Sequence, residues 1–336
     1  MFGYLRFFLA SLVLMSHLKI NLQGANPGVA AVVSFYMLAG FVVCNLFSKI
    51  FVSRKPIYLQ FYYERALRIF PQYIFIACLT LIFLITTKYG SPKFETGTLI
   101  NNILIIPLSY HMYIDSFILQ KPEWWLVPPA WSLGVELQAY LVLPFIIYFK
   151  PVKVIAAAIS FFIFCLASLG VIQTDYFGYK LFPGVLFIFI LGVSIYKNTS
   201  EKEKSDLFDE YFPPFVYMTL ILLFIFLGVL KMLTHQFVRE TIIGILIGMP
   251  IIIYIAKSKI KIPMNNFLGD LSYGLFLSHF LSIWTIEHYQ LIDRSISPYS
   301  YISGVFVISL LISIVGVIVV EKNIKKYRYH LSRSIT

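Results

Sequence analysis

Long apolar runs separated by short polar segments follow one another along this chain of 336 residues. A helix that crosses a membrane needs about 20 mostly apolar residues, and ten runs come close to that length. They predict ten spanning helices, at 2–20, 29–50, 71–88, 130–149, 152–172, 181–197, 213–233, 237–256, 267–288 and 299–320. The pattern predicts an all-α, polytopic membrane protein, with 1–336 as a single membrane domain and no appended soluble domain.

Some connecting segments differ from ordinary polar loops. Residues 51–70 are aromatic and basic, which predicts an amphipathic helix lying on the cytoplasmic face. Residues 89–129 form the longest predicted extracytoplasmic segment, and 99–108 within it are apolar enough to re-enter or lie on the membrane. The charged run 201–210 is predicted to be a solvated linker without a function.

Two short patterns predict local contacts. Asp270 and Ser272 stand near the start of the run 267–288, where such residues commonly cap a helix. Gly244 and Gly248 form a G-x-x-x-G pattern, which predicts close packing against another helix.

Composition strengthens the membrane assignment and places the termini. The chain is 59% hydrophobic and 13% charged, whereas a soluble domain carries about 25% charged residues. With ten spans and the N-terminus inside, most of the 27 Lys and Arg residues fall on the cytoplasmic side, so both termini are predicted to be cytoplasmic. The same bias accounts for the net charge of +11. Nucleic-acid binding is not expected, because no basic stripe carries a recognition fold.

The cysteines and histidines do not predict a metal centre or a disulfide framework. Cys44, Cys78 and Cys165 all lie inside apolar runs and are interpreted as small packing residues. No Cys/His cluster has metal-ligand spacing, so no metal is expected.

Ionisable residues inside the apolar runs are the candidates for chemistry, because charge is costly in hydrocarbon. Arg6 and His17 are eleven residues apart in the first run, which is roughly 16 Å of helix with both on nearly the same face. A histidine is suited to act as a general base or as a covalent acyl acceptor, and the sequence does not choose between them. The alternative is that Arg6 snorkels to headgroups and His17 is an interfacial residue.

The other ionisable candidates also have structural alternatives. Arg65 and Arg68 are at i and i+3, which puts two forks suited to phosphate on one helix face, although anionic lipid headgroups would bind them equally well. Glu136 could orient His17 or receive its proton, or it could tie two helices together. His279 could be a ligand or a packing hydrogen bond.

Taken together, five segments resemble elements of the acyltransferase 3 family, in the order found in that family. They are LRFFLASLVLMSHL, FYMLAGFVV, FYYERALRIFPQY, PAWSLGVELQAYLVLPF and LGDLSYGLFLSHF. Two departures are visible: Ala39 replaces the usual Ser, and Leu137 replaces a frequent second acidic residue, which leaves Glu136 as the only carboxylate of its element.

The resemblance implies a membrane enzyme that O-acylates an extracytoplasmic acceptor. It implies His17 as the catalytic residue, with Arg6 and Glu136 as its companions, and it places Arg65, Arg68 and His279 on the donor side. The implied donor is acyl-CoA, usually acetyl-CoA, and the implied acceptor is a glycan or a lipid-linked saccharide. The implied location is a bacterial cytoplasmic (inner) membrane, with membrane lipids as partners and the oligomeric state open.

The sequence also leaves a second function to weigh. A transporter or flippase for a glycan or lipid-linked substrate would use buried charges as a path without covalent chemistry, but its usual internal repeat is not visible here. The hypothesis that the protein is an enzyme predicts a polar path through the first, fourth and ninth spans, which carry Arg6, His17, Glu136 and His279. It also predicts that 152–172, 181–197 and 213–230 are lipid-facing and nearly free of buried ionisable residues.

Overall fold

The computed structural model describes residues 1–51, 58–200, 205–258, 260–325 and 327. Those residues form eleven α-helices and one two-stranded sheet. The helices are α1 (Phe2–His17), α2 (Pro27–Phe51), α3 (Tyr58–Thr87), α4 (Thr96–Leu104), α5 (Ala130–Tyr148), α6 (Lys150–Ser168), α7 (Phe182–Thr199), α8 (Leu207–Val229), α9 (Val238–Lys257), α10 (Asn265–His288) and α11 (Pro298–Gly316). Strands β1 (Leu119–Gln120) and β2 (Glu123–Trp124) pair in antiparallel register.

The described helices coincide with the predicted spans, since each of the ten apolar runs contains one helix and only α4 lies outside them. Eight helices in the described ranges are long and apolar enough to cross a membrane, and α1 is a shorter apolar helix. This is an all-α, polytopic, integral membrane protein. The number of spans and the side of each terminus remain predictions, and the basic residues within 52–57, 201–204 and 328–336 lie outside the described residues.

The separate interfacial helix expected over 51–70 is wrong for the part that the structure describes. Residues 58–70 belong to α3, which runs unbroken through Pro71 to Thr87. The stretch from 58 to 70 contains no glycine or proline to end a helix, so the aromatic and basic segment continues directly into the apolar run. Residues 52–57 of the predicted segment lie outside the described residues.

A first compact unit contains Met1–Lys19, Tyr63–Gly134 and Ile262–Thr336. In it α1 packs along α10, and α10 packs along α11. The backbone N–H of Gly3 donates to Asn265 Oδ1 at 2.8 Å, which fixes the start of α1 against the start of α10. The helix α10 begins at Asn265, so Asp270 and Ser272 lie inside it and the capping role predicted for them is wrong.

The segment between α3 and α5 is organised around the buried side chain of Asn102 on α4. Its amide nitrogen donates to Thr98 and Ser116, and its amide oxygen accepts the Leu126 N–H at 2.8 Å. The Asn102 carbonyl also accepts the Tyr73 hydroxyl at 2.6 Å. These bonds tie α4 and the chain after it to α3, and they leave Ile100, Ile103 and Leu104 exposed, as a helix lying on a membrane would require.

A second compact unit contains Ile20–Tyr62 and Val135–Lys261. Its central helix is α7, which is buried without interruption from Gly184 to Tyr196 and packs against α2, α6 and α8. The lipid-facing role predicted for 181–197 is therefore wrong. The G-x-x-x-G prediction is confirmed, because Gly244 and Gly248 bring α9 close to Ala30 and Ser34 on α2.

A buried ion cluster in this unit joins α6, α7 and α8. Lys153 and Asp209 are both 0% exposed, and the Lys153 ammonium lies 2.8 Å from Asp209 and 3.2 Å from Asp206. Lys197 approaches Asp209 to 3.3 Å, and Ser194 donates to the same carboxylate. The described part of 201–210 is thus no solvated linker.

Asp206 is also the residue that caps α8, since its carboxylate accepts the Asp209 N–H at 2.9 Å. Partial burial opposes ionisation, but that N–H and the Lys153 ammonium more than offset it and lower the pKa of Asp206 to about 2. Lys153 lies in the run 152–172 and is buried, so the prediction of almost no buried ionisable residues is wrong for that run, whereas Asp209 precedes the run 213–230.

The close approach of α9 to α2 predicts a difference between two glycines. A Cβ on Gly244 would lie 2.8 Å from backbone atoms of Ala30, whereas a Cβ on Gly97 meets nothing within 4 Å. We expect Gly244→Ala to destabilise the protein by about 1–3 kcal/mol, as overpacked helix contacts do. Gly97→Ala, the matched control, should be neutral or slightly stabilising. Thermal unfolding in detergent measures both, and equal unfolding temperatures would contradict the packing.

Candidate functional site

The imidazoles of His17 and His279 meet inside the first compact unit. His17 is the last residue of α1, and His279 lies in the middle of α10 with 0% exposure. His17 Nδ1 is 3.1 Å from His279 Nε2, and the ring centroids are 5.0 Å apart. Two candidates that stand 262 residues apart in sequence are therefore one hydrogen-bonded pair.

The backbone around His17 assigns the tautomer of its ring. His17 Nδ1 also lies 3.0 Å from the Val13 carbonyl oxygen, which can only accept a hydrogen bond. We infer that Nδ1 carries the proton and is shared between Val13 and His279 Nε2, which then accepts. His17 Nε2 is left with the free lone pair, which is the form of imidazole that can take a proton.

The end of α1 is held in place by an arginine. Arg294 Nη2 donates to the Leu18 carbonyl at 2.6 Å, and the guanidinium lies 5.5 Å from the centre of the Tyr301 ring. A cation at the C-terminus of a helix satisfies a free carbonyl and complements the helix dipole. Because His17 is one residue before Leu18, this contact helps to hold the backbone that carries the imidazole.

A carboxylate at the end of α10 extends this support. Glu287 accepts the Tyr301 hydroxyl at 3.1 Å and the Tyr89 hydroxyl at 2.5 Å. Burial, and then the bond to Glu287, raise the pKa of Tyr89, so this hydroxyl stays protonated and donates. The segment after α3, the end of α10 and the start of α11 are thereby linked.

An aromatic wall leads away from His17 on the side of the β-hairpin. The Phe280 ring lies 4.8 Å from the His17 ring and 5.1 Å from the Trp124 ring, measured between centroids. Trp284 continues the wall, 5.7 Å from Phe280. Phe280 and Trp284 are buried, whereas Trp124 on β2 is partly exposed. Trp124 thus presents an accessible aromatic surface two ring contacts from His17.

Arg68 lies in a group of charged side chains formed by α3, α10 and the turn after α11. Its Nη1 donates to Glu321 Oε1 at 2.9 Å and lies 3.8 Å from Asp270 Oδ1. Lys325 pairs with the other oxygen of Asp270. The Arg68 guanidinium lies over the Tyr273 ring, 5.6 Å from its centre, and is partly exposed. This hydrogen bond to Glu321 involves only the Nη1 atom of Arg68.

Arg65, the second member of the predicted phosphate pair, is more enclosed. It is 7% exposed, and its Nε donates to Glu64 Oε2 at 2.6 Å. Each arginine of the pair therefore has a carboxylate partner, which the i, i+3 spacing did not predict. A phosphate would meet Arg68 more easily than Arg65.

One face of α10 connects the arginine to the histidines. Tyr273, which contacts Arg68, and Phe280, which contacts His17, are seven residues apart on this helix. Seven residues are two helical turns, so the two rings share a face and stand about 10 Å apart along the axis.

Arg6 and Glu136 are the two remaining candidates from the sequence. Arg6 is half-buried on α1, so the predicted continuous helix from Arg6 to His17 is confirmed. Glu136 is half-buried on α5, in the second compact unit, where its carboxylate accepts the Tyr140 hydroxyl. The predicted path that joins both residues to His17 stays a prediction.

Sequence reasoning missed most of the partners. Tyr140 follows Glu136 by one helical turn, and Phe280 follows His279 directly. The sequence beside each candidate therefore contained enough information to suggest these two neighbours. Nothing local connected Glu321 with Arg68, or Trp124 with Phe280, because those contacts join distant segments. Within the described ranges, no group of three or more His, Cys, Asp or Glu side chains is placed to hold a metal ion.

Comparison with known proteins identifies the family of this chain. The chain matches the family model Acyl_transf_3, described as an acyltransferase domain, over residues 2–319. It is 36% identical over 226 residues to an uncharacterized protein of Aquifex aeolicus (strain VF5), a match that covers 66% of this chain and 100% of that protein.

The chain is also similar to a protein whose name states an activity. It is 28% identical over 182 residues to O-acetyltransferase OatA of Staphylococcus aureus (strain NCTC 8325 / PS 47), which covers 52% of this chain and 29% of OatA. No solved structure matches the chain. The match over residues 2–319 shows that this membrane protein belongs to the acyltransferase 3 family and is an acyltransferase.

Proposed function

We propose that this acyltransferase moves an acyl group, usually acetyl, from cytoplasmic acyl-CoA to a hydroxyl of an extracytoplasmic glycan or lipid-linked saccharide. The observation that carries the proposal is the contact of His17 Nδ1 with Val13 and His279, which leaves Nε2 of His17 as the basic nitrogen. The expected location is a bacterial cytoplasmic membrane, where acyl-CoA is available on the inner side.

The proposed step is a direct transfer. The acceptor oxygen attacks the thioester carbonyl, its proton passes to His17 Nε2, and the carbon–sulfur bond breaks. The CoA thiolate then takes the proton from the imidazolium, so the products are the ester and CoA thiol. During the step, the Val13 carbonyl and the lone pair of His279 Nε2 stabilise the positive charge on His17.

Arg68 is proposed to bind the phosphates of the acyl-CoA donor. Charged hydrogen bonds to guanidinium are the usual way to hold phosphate, and the Nη2 and Nε donors of Arg68 are not used by its bond to Glu321. Tyr273 and Phe280 stand about 10 Å apart along α10, and Arg68 and His17 lie a further 5.6 Å and 4.8 Å from those rings. We propose that the pantetheine arm covers this span in an extended form and brings the thioester to His17.

The acceptor side is proposed to be the wall that ends in Trp124. A sugar ring offers an apolar C–H face to an aromatic ring and hydroxyls at its edge, and Trp124 is the partly exposed ring of this wall. Phe280 contacts both Trp124 and His17, so a sugar stacked on Trp124 would be two ring contacts from the imidazole. We propose that Arg6 and Glu136 line the polar path that leads to His17.

The histidine pair predicts graded losses of activity. We expect His17→Ala to reduce acyl transfer by about 10²–10⁴-fold, the usual contribution of a general base. His279→Ala should cause a smaller loss, and His279→Gln should restore part of it, because its amide oxygen can still accept from His17 Nδ1. His288→Ala, an exposed histidine on the same helix, is the matched control.

Glycan acetylation at equal protein level, measured by mass spectrometry, reports these losses. Near wild-type acetylation by His17→Ala would show that the catalytic assignment is wrong. An acyl group that stays on His17 when acceptor is withheld would replace direct transfer by a covalent route.

The charged group around Arg68 predicts a donor-binding defect. Arg68→Ala should raise the KM for acyl-CoA about tenfold or more, since a charged hydrogen bond contributes about 1.5–3 kcal/mol. Because that change leaves Glu321 buried, Arg68→Ala combined with Glu321→Gln is the variant to measure. Arg65→Ala should mainly reduce the amount of folded protein. An unchanged donor KM in the double variant would favour binding of lipid headgroups at Arg68.

The aromatic wall predicts an acceptor-binding defect. Trp124→Ala should raise the KM for the acceptor several-fold, in line with the about 0.5–1.5 kcal/mol that one aromatic contact contributes, and leave the KM for acyl-CoA unchanged. Trp124→Phe should keep part of the effect. Tyr113→Ala, an exposed aromatic residue of the same segment, serves as the control. If Trp124→Ala and Tyr113→Ala behave alike, the acceptor does not stack on Trp124.

A further inference from the structure

An open apolar groove of about 290 Å³ lies between α6 and α8 in the second compact unit. Both helices pack against the buried helix α7, and the groove follows the gap that they leave. Its walls are Val154, Ala158 and Phe161 from α6 and Phe208, Tyr211, Phe212 and Phe215 from α8. This lining is apolar and mostly aromatic.

The aromatic walls are held in place by one another. Phe208 and Phe212 stack with centroids 4.6 Å apart, and Phe161 meets Phe215 edge-on at 6.1 Å. These ring contacts give the groove part of its shape, while Tyr211 and Phe215 stay exposed at its edge. It runs about 10 Å along α6 from Val154 to Phe161, which suits a section of a hydrocarbon chain.

One end of the groove carries excess positive charge. Lys150 precedes Val154 by one helical turn and therefore stands in line with the lining residues. In the part of this end that the structure describes, which excludes 201–204, the ion cluster holds three lysines (Lys150, Lys153 and Lys197) and two carboxylates (Asp206 and Asp209). Lys153 is 0% exposed, whereas Lys150 is 71% exposed and lies 3.8 Å from Asp206.

Two further features favour the binding of an anion at this end of the groove. The helices α6 and α8 both begin at this end, so the positive ends of their dipoles point the same way. The exposed Glu210 stands at helical spacing on the opposite side of α8 from the lining residues, and so does not neutralise Lys150 at the groove.

We propose that this groove binds one acyl chain of an anionic phospholipid, with the headgroup at Lys150. Apolar walls take up the chain, and the surplus cation at the end selects a negative headgroup over a zwitterionic one. The site is separate from the histidine pair, so the proposal does not depend on the proposed acyl transfer.

Native mass spectrometry of the purified protein, titrated with phosphatidylglycerol or phosphatidylcholine, tests the proposal. We expect wild-type protein to retain one phosphatidylglycerol in preference to phosphatidylcholine. Ala158→Trp fills the groove and should lose this lipid, whereas Ile159→Trp, on the exposed face beside it, should keep it. Lys150→Gln should remove the preference between headgroups and keep chain binding.

Several outcomes overturn the proposal. Equal retention of the two lipids by wild-type protein, or retention of phosphatidylglycerol by Ala158→Trp, would show that the groove holds only ordinary membrane lipid. Displacement of phosphatidylglycerol by a polyprenyl phosphate at equal concentration would assign the groove to a lipid carrier instead. If Ala158→Trp lowers the unfolding temperature, the smaller Ala158→Phe replaces it, and the same two outcomes decide.

Discussion

Buried ionisable side chains in this protein are constrained by the cost of leaving charge or hydrogen-bonding capacity unsatisfied in apolar surroundings. His279 contacts His17, Arg68 contacts Glu321 and Asp270, and Lys153 contacts Asp206 and Asp209. Removing one partner from a buried ion pair such as Lys153–Asp209 typically costs about 3–5 kcal/mol, because the other charge is left uncompensated. These contacts therefore stabilise the packing of the helices that carry them.

The same constraint shapes the chemistry of the histidine pair. A carboxylate beside His17 would stabilise its imidazolium strongly, but it would also bring a charge into the apolar interior. His279 is neutral when it accepts from Nδ1, so it orients the ring without that cost. The Val13 carbonyl and the Arg294 contact at Leu18 add further constraint from the backbone. The result is an imidazole whose tautomer and position are both fixed.

The charged side chains around Arg68 and those around Lys150 differ in the balance of positive and negative groups. At Arg68, each positive side chain is matched by carboxylates, so a phosphate must share or displace a partner that is already present. At Lys150 the cluster holds more lysines than carboxylates, and the surplus charge is exposed. The first arrangement favours a ligand that offers several contacts at once, and the second favours a single anionic headgroup.

The sequence by itself determined which stretches form helices and which residues are candidates for chemistry. Length and hydropathy predicted each of the ten long helices, and most of the predicted ends lie within a few residues of the observed ends. The start of α3 is the main error. These predictions succeed because the hydropathy of a segment is a local property. The order of the five family-like segments pointed to the family that the match over 2–319 then showed.

Only the tertiary structure decided which faces are buried and which residues meet. The helices α7 and α8 are similarly apolar, yet α7 is central and α8 is largely exposed. In a membrane, lipid-facing and protein-facing surfaces are both apolar, so the pattern along a helix does not mark its buried side. The contacts of His17 with His279, of Arg68 with Glu321 and of Trp124 with Phe280 join segments far apart in the chain, and a local pattern contains no information about such pairs.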